Sequence, residues 1–344
     1  MQKTTLADIA KSLGVSKTLV SLVLNGRGDE HGISSDTQAK VLKKAKELNY
    51  RPNPIARGLR TGKSHTIGLI VTDISNIFMA KIARAIEDKV RKYGYHLIFC
   101  SSDEDTEREN ALIQMMQERQ ADGLIIMSAA KEPERIQQLL KEEYPFVLID
   151  RFLDDTKTNY VGVDNFESSK QAVLHLLDEG YQKIAFLGIT PKHISPIVDR
   201  ERGYLDALKS RKIKLDHSLV CDIPFDDIKT SVYKELDQLC FPKKKIDAIF
   251  AANNSIAIAC LQYFKEKKLN VPSDIALISY DDIDLFSFMT PPISAVAQPI
   301  QSIGEKAVDL LMKHIDAKKT KGQVLEHHEI KGELIVREST RTQK

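Results

Sequence analysis

Two short amphipathic segments meeting at Gly14, within residues 5–25, constrain this chain more than any other feature. Leu6, Ile9, Ala10 and Leu13 recur at the i, i+3, i+4, i+7 spacing of one buried helical stripe. Thr5, with Asp8 three residues on, marks where that helix starts. Small Ala10 lets two helix backbones approach closely, and Gly14 suits a left-handed turn. Ser16 then caps a second helix whose Val20, Val23 and Leu24 face inward. Lys17, Thr18, Ser21 and Asn25 are left outside, short polar and basic groups able to hydrogen-bond base edges and phosphates in a major groove. The pattern points to a helix-turn-helix DNA reader; a small hairpin of some other helical bundle is the alternative.

A third helix follows, expected from about Thr37 to Leu48, with Ser35 and Gln38 as a capping box and Val41, Leu42, Ala45 and Leu48 as its apolar face. The connector Asn49 to Ser64 ends that helix with prolines, and Pro54 suits the first turn of a short new one. Pro54 to Arg60 has room for barely two turns, and Gly58 weakens it by ~1 kcal/mol relative to Ala. A helix that short is marginal in water and is expected to form only on DNA.

The stretches Thr5-Leu-Ala-Asp-Ile-Ala, Gly14-Val-Ser, Val20-Ser, Asn25-Gly, Leu48-Asn-Tyr-Arg-Pro-Asn and Ala56-Arg-Gly-Leu-Arg closely resemble the head and hinge of the lactose repressor / galactose repressor (LacI/GalR) family of bacterial transcription regulators. The resemblance continues through Ile67-Gly-Leu-Ile-Val, Asp73-Ile-Ser-Asn, Ala121-Asp-Gly-Leu-Ile, Leu148-Ile-Asp-Arg, Ala251-Ala-Asn-Asn, Leu277-Ile-Ser-Tyr-Asp and Glu333-Leu-Ile-Val-Arg-Glu-Ser-Thr. It implies that the hinge helices of two subunits meet in the minor groove with Leu59 wedged between base pairs. Candidate DNA contacts are thus Thr5, Ser16, Lys17, Thr18, Ser21, Leu22, Asn25, Tyr50, Asn53, Ala56 and Leu59. Leu19 and Leu22 stand where the family pattern has threonine and arginine. Leu22 can meet a thymine methyl but cannot make the bidentate bonds of Arg to guanine. The segment Gly26 to Ser35 is longer than the family's usual loop; its Gly28 and Gly32 suggest a flexible excursion, or else a tolerated surface insertion.

Charge follows the same division. The 344-residue chain carries a net +2, but residues 1–63 hold twelve Lys and Arg against five Asp and Glu, a net of +7. Basic charge confined to the head is the footprint of phosphate contact. The rest leaves about 280 residues for one large or two medium domains. No signal peptide is read at the N-terminus and no apolar run reaches the roughly 18 to 20 residues of a membrane span, so cytoplasmic residence is expected. Cys100, Cys221, Cys240 and Cys260 have no paired spacing and read as reduced thiols.

From Thr66 onward β-rich runs alternate with helical stretches, the signature of parallel α/β sheets. The expected architecture is an all-α head, 1–49; a hinge, 50–64; and a doubly wound, two-lobed periplasmic-binding-protein-like effector and dimerisation domain, 65–344. The resemblance adds three crossings between lobes, near Asn165, Ala295 and Glu326. The first lobe is then about 65–165 plus 296–326, the second about 166–295 plus 327–344. A small ligand would sit between them at the carboxyl ends of the strands.

Asp73, Asn76, Asp150, Arg151, Asn253 and Asp281 fall at those ends, and Arg200 is expected to open a helix after an irregular Pro191 to Val198 loop. Carboxylates, amides and guanidinium groups suit a polyhydroxylated ligand, since each hydroxyl both donates and accepts. Phe78, Met79 and Phe225 would cover the apolar face of a sugar ring. Taken singly, each polar residue also fits ordinary loop or helix capping. The resemblance matches Phe78, Met79, Asp150, Arg200, Phe225, Asn253, Asp281 and Gln298 to effector-contacting positions. A nucleobase or nucleoside stacked on Phe78 and Phe225 is the alternative ligand.

Enzymatic readings fare worse. Gly62-Lys63-Ser64 is similar to the end of a phosphate-binding loop, but the required earlier glycine is Arg57 and the segment precedes a strand. No nucleophile elbow or zinc-ligand spacing occurs, and His327-His328 reads as a solvated pair in a connector. No catalytic residue, metal or cofactor is expected. A free-standing solute-binding protein would share the two lobes but carry an export signal in place of the basic head. The expectation is therefore a homodimeric, carbohydrate-responsive repressor on a palindromic operator, since one head covers half a site. No heptad tail follows Thr340, so no tetramer through a C-terminal bundle is expected.

Overall fold

A computed structural model describes residues 4–50, 62–131, 133–153, 156–191, 194–241, 246–317 and 325–341. The chain divides into two compact units, Met1–Ser64 and His65–Lys344.

In the first unit, α1 (Leu6–Leu13), α2 (Lys17–Leu24) and α3 (Ser35–Glu47) enclose Ile9, Ala10, Val20, Val23, Val41 and Ala45. Full burial of an aliphatic side chain such as Ile9 contributes ~1.5–3 kcal/mol, so this small cluster carries much of the head's stability. Thr5 and Asp8 form a reciprocal capping box at α1, and Gly14 closes that helix at φ 65°. Ser16 caps α2 by accepting the Leu19 N–H at 3.1 Å. The expected box at Ser35 and Gln38 is not formed. Ser34 is the cap of α3, its hydroxyl accepting the Thr37 N–H, while the Gln38 amide donates to Asp29 and to the Ile33 carbonyl, both at 2.8 Å. Those bonds, with a short 3-10 turn over Asp29–His31, make an ordered turn of the segment read as a flexible excursion. Leu42 is exposed, because the stripe of α3 that meets the core runs through Val41 and Ala45.

The second unit holds two six-stranded sheets. The first contains β1 (Thr66–Val71), β2 (His96–Ser101), β3 (Gly123–Ile126), β4 (Phe146–Ile149), β5 (Tyr160–Val163) and β11 (His327–Ile330), in the order β11-β5-β4-β3-β1-β2 and all parallel. The second contains β6 (Ile184–Thr190), β7 (Val220–Pro224), β8 (Ala248–Ala251), β9 (Ala276–Tyr280), β10 (Ser294–Ala297) and β12 (Glu333–Ile335), in the order β12-β10-β9-β8-β6-β7. Only β12 runs antiparallel.

Strands buried on both faces read as continuous apolar runs, as in Ile67 to Val71 and Ala248 to Ala251. Helices α4 (Ile77–Lys92), α5 (Thr106–Glu118), α6 (Glu134–Lys141) and α12 (Ile300–Ala317) belong to the first lobe. Helices α7 (Asn165–Asp178), α8 (Ser195–Ser210), α9 (Ile228–Cys240), α10 (Asn254–Lys267) and α11 (Asp284–Phe288) belong to the second. In both sheets the strand order reverses between the first and third strands, β1 with β3 and β6 with β8, the switch point beside which open α/β sheets bind ligands.

Three expectations need correction. The late strand β11 pairs in parallel with β5, so residues 327–330 belong to the first lobe and the third crossing lies at Lys331 and Gly332. Strand β10 belongs to the second sheet and places the second crossing at Gln298 and Pro299. Helix α8 begins at Ser195, not at Arg200, with Pro196 in its first turn where a missing N–H costs nothing. His327 and His328 are thus strand residues; His327 packs on the Tyr160 ring at 4.5 Å, and His328 pairs with Glu326 at 2.7 Å. Cys221, Cys240 and Cys260 share the second lobe's core as free thiols. Among the described residues no helix is long and apolar enough to cross a membrane.

Candidate functional site

On the head, Lys17, Thr18, Ser21, Leu22 and Asn25 recur at the spacing of one helical face of α2. Lys17, Thr18 and Asn25 are exposed; Ser21 and Leu22 are half-buried. Leu19 packs against the head core, which explains an apolar residue there. The Asn25 amide donates to the Ser21 carbonyl, tying the two polar ends of the stripe together. Ser16 spends one lone pair as a cap, which leaves its hydroxyl proton free to donate. The Thr5 hydroxyl instead donates to Asp8 at 2.7 Å, which holds the Asp8 carboxyl below its ordinary pKa. Tyr50 packs on the head core. The expected hinge helix, with Asn53, Ala56 and Leu59, lies outside the described residues.

In the second unit, Asp73, Asn76, Phe78, Met79, Asp150, Arg151, Arg200, Phe225, Asn253, Asp281 and Gln298 all line one cavity of about 650 Å³, part of it open to solvent. Their convergence follows from topology. Parallel strands deliver all their carboxyl ends to one edge, and two such edges face each other across the crossings. Thr72, Glu104, Thr190, Pro191 and Ile194 also line it. Glu104 went unrecognised in the sequence, although its place just after β2 marks another strand end.

The second lobe supplies a rigid cation. Arg200 Nε donates to Asn165 Oδ1 at 2.9 Å, Nη1 to the Ala252 carbonyl at 2.8 Å, and the guanidinium stacks 3.7 Å from the Tyr280 ring centroid. Asn253 caps α10 by accepting the Ile256 N–H at 2.8 Å, and Asn76 caps α4 by accepting the Phe78 N–H at 2.9 Å. The capping role open to each in the sequence is therefore real, and it fixes the rotamer of a residue that also lines the cavity. Asp281 accepts from Gln298.

The first lobe supplies Asp150, 6 % exposed, in a left-handed conformation at φ 62°. The buried Tyr160 hydroxyl donates to the Asp150 carbonyl at 3.0 Å and pins that turn. The phenol reaches it by crossing Gly162, where a Cβ would stand 1.8 Å from the oxygen. Burial pushes the Asp150 carboxyl above its ordinary pKa, against the pull of Arg200 and Arg151. Asp150 Oδ1, Gln298 Oε1 and Arg151 Nε are buried without a hydrogen-bond partner. Leaving such buried groups unsatisfied is costly. Phe78 and Met79, each 7 % exposed, belong to the first lobe's core. Phe225 is the more open aromatic, 37 % exposed in a short turn after β7.

Residues 5–53 match the family described as bacterial regulatory proteins, lacI family, and residues 173–340 match the periplasmic binding protein-like domain. The chain is 34 % identical to the HTH-type transcriptional regulator RegA of Clostridium saccharobutylicum, over 98 % of this chain and 99 % of that protein. It is similar to the solved complex of the transcriptional regulator CelR with cellobiose, at 26 % identity and TM-score 0.71 over 98 % and 100 % of the two chains. The lac repressor dimer bound to operator and the anti-inducer ONPF aligns at TM-score 0.85 over 99 % and 100 %; at 24 % identity that likeness shows the fold.

Proposed function

The chain belongs to the lacI family of bacterial regulatory proteins, and from that premise we propose that it is a repressor whose operator affinity is set by a carbohydrate held between its two lobes. It is a transcriptional regulator with a DNA-binding head and an effector-binding domain. The stripe Lys17, Thr18, Ser21, Leu22 and Asn25 reads the major groove, with Lys17 and Thr18 at base edges and Ser21 and Asn25 on phosphates. Thr5, Ser16 and Tyr50, with Asn53, Ala56 and Leu59 of the hinge, complete the DNA surface. The protein works in the cytoplasm as a homodimer on a palindrome and catalyses no reaction. The lac repressor, similar to this chain in fold, was solved as a dimer bound to operator. Exposed Ile77 on α4, with Leu285 and Phe288 on α11, offers apolar surface to a second copy.

One observation carries the effector reading: eleven residues, from the ends of six strands and from helices α4 and α8, converge on one cavity, with Asp150 Oδ1 and Gln298 Oε1 buried and unpaired. Hydroxyl groups of a sugar would satisfy both. The CelR relative was solved with cellobiose. The effector acts through the crossings, because a ligand bridging Asp150 and Arg200 binds one interlobe angle better than another and so shifts the population of states. The coupling is reciprocal, so operator DNA changes effector affinity by the same factor.

A thermal-shift screen against a carbohydrate panel tests this reading. A ligand at 100 times its dissociation constant adds ~2.7 kcal/mol of stability. The hit must also change operator affinity in a fluorescence anisotropy titration. A sugar that stabilises the protein without moving operator affinity would remove it as the effector.

A further inference from the structure

The charged groups around the cavity are unevenly matched. Among the described lining residues, four carboxylates, Asp73, Glu104, Asp150 and Asp281, face two guanidinium groups, Arg151 and Arg200. Arg151 is already engaged. Its Nη1 and Nη2 donate to the two oxygens of Glu104 at 2.7 Å each, and the side chains are only 11 % and 17 % exposed. A bidentate pair of this kind is strong and directional, and it uses the face that a phosphate or carboxylate would need. Arg200 is held by neutral partners, but the Asp150 carboxylate acts on it electrostatically from the opposite lobe.

Hydrogen-bond polarity points the same way. Of the three unpaired buried side-chain atoms on these lining residues, Arg151 Nε is a donor that lies 4.0 Å from Asp150 Oδ2, while Asp150 Oδ1 and Gln298 Oε1 are acceptors. The two acceptors require a ligand that donates. A phosphate or carboxylate group seated against either acceptor has no proton to give, so the ligand's hydroxyls must serve both while the anionic group adds like-charge repulsion to the four carboxylates.

Building on the effector reading above, we propose that the cleft takes an uncharged ligand rich in hydrogen-bond donors and rejects its phosphorylated or carboxylated forms. Glu104 enforces that preference by occupying Arg151, a specificity role for a residue outside the eleven.

Isothermal titration of the full-length protein decides the matter with matched probes: glucose, galactose, ribose and cellobiose; glucose 6-phosphate, galactose 1-phosphate, ribose 5-phosphate and cellobiose 6-phosphate, with glucuronate as the carboxylated form of glucose; and hypoxanthine. The expected result is a neutral sugar that binds at least about tenfold more tightly than its anionic counterpart. Glu104→Gln, which keeps an acceptor for Arg151 but removes the charge, should narrow that ratio by about tenfold. An anionic sugar binding the wild type as tightly as the neutral one overturns the charge inference and leaves the carbohydrate reading standing. Hypoxanthine as the hit overturns the carbohydrate reading and supports the charge inference, since it is neutral and donates. No binding by any probe overturns both. Should Glu104→Gln fail to fold, the wild-type ratio alone still decides.

Discussion

Asp150 and Asp281 occupy the same position in the two lobes. Each directly follows the fourth strand of the shared order, β4 in β2-β1-β3-β4-β5 and β9 in β7-β6-β8-β9-β10. Each is left-handed, at φ 62° and 70°, and each is buried, at 6 % and 8 % exposure. A non-glycine residue pays about 1–3 kcal/mol for such a conformation and keeps it only where the surroundings over-determine it. The duplicated turn therefore aims one carboxylate from each lobe into the same space.

Asp150→Asn tests the cost of that placement. Burial raises the Asp150 pKa above its ordinary 3.8, so the folded protein holds this proton more tightly than the unfolded chain. Its stabilising contribution is complete below that ordinary value and is lost as pH rises through the raised one. Without effector, Asp150→Asn should match the wild type near the ordinary value and become more stable than it toward neutral pH, while binding effector more weakly. Thermal unfolding across that range checks the sign; a variant less stable than wild type at neutral pH refutes it.

Arg200→Ala should leave a dimer that still occupies its operator but no longer responds to effector. Losing a charged hydrogen bond costs ~1.5–3 kcal/mol, roughly ten- to a hundredfold in ligand affinity. Arg200→Lys should recover little, because an ammonium cannot hold Asn165 and the Ala252 carbonyl while stacking flat on Tyr280. Calorimetry with undiminished binding in the alanine variant would count against the assignment.

Gly162→Ala should expel the Tyr160 phenol from its place over the strand, since the new methyl has no room beside the hydroxyl. Tyr160→Phe loses only the bond to the Asp150 carbonyl, costing ~1 kcal/mol. Both should weaken effector binding, Gly162→Ala more severely, and neither should touch operator recognition by the head. Equal ligand affinity in all three proteins would show that the Asp150 turn stands without its support.

Lys17→Ala with Thr18→Ala should change which operator is preferred, at ~1–3 kcal/mol per lost base contact. Ser21→Ala or Asn25→Ala should weaken binding to all sites about equally, as phosphate contacts do. Binding isotherms across single-base operator variants separate the two patterns. Unchanged selectivity in the double variant would move base reading elsewhere on the head.

The head and the strand ends were legible because their signals are local. Leu6, Ile9, Ala10 and Leu13 announce a helix through their own spacing, and Thr5, Ser16 and Gly14 punctuate it within a few residues. The apolar runs from Ile67 and from Ala248 announce buried strands, and the polar residues that follow them, Thr72 and Asp73 and then Asn253, necessarily lie at the carboxyl edge of a parallel sheet. What escaped depends on contacts distant in sequence. His327 to Ile330 is a polar edge strand with no apolar rhythm, and only its pairing with Tyr160 to Val163 assigns it to the first lobe. Ser195, at the start of helix α8, joins the lobes by accepting the Phe152 N–H at 3.0 Å, a contact that no local pattern reveals. Glu104 reads as one acid in a polar loop until folding brings Arg151 to it from 47 residues away. Periodicity and capping are properties of neighbours along the chain, so sequence determined the elements and their polar ends. Charge pairing, burial of Asp150 and lobe membership depend on which elements become neighbours in space, and only the tertiary structure decided those.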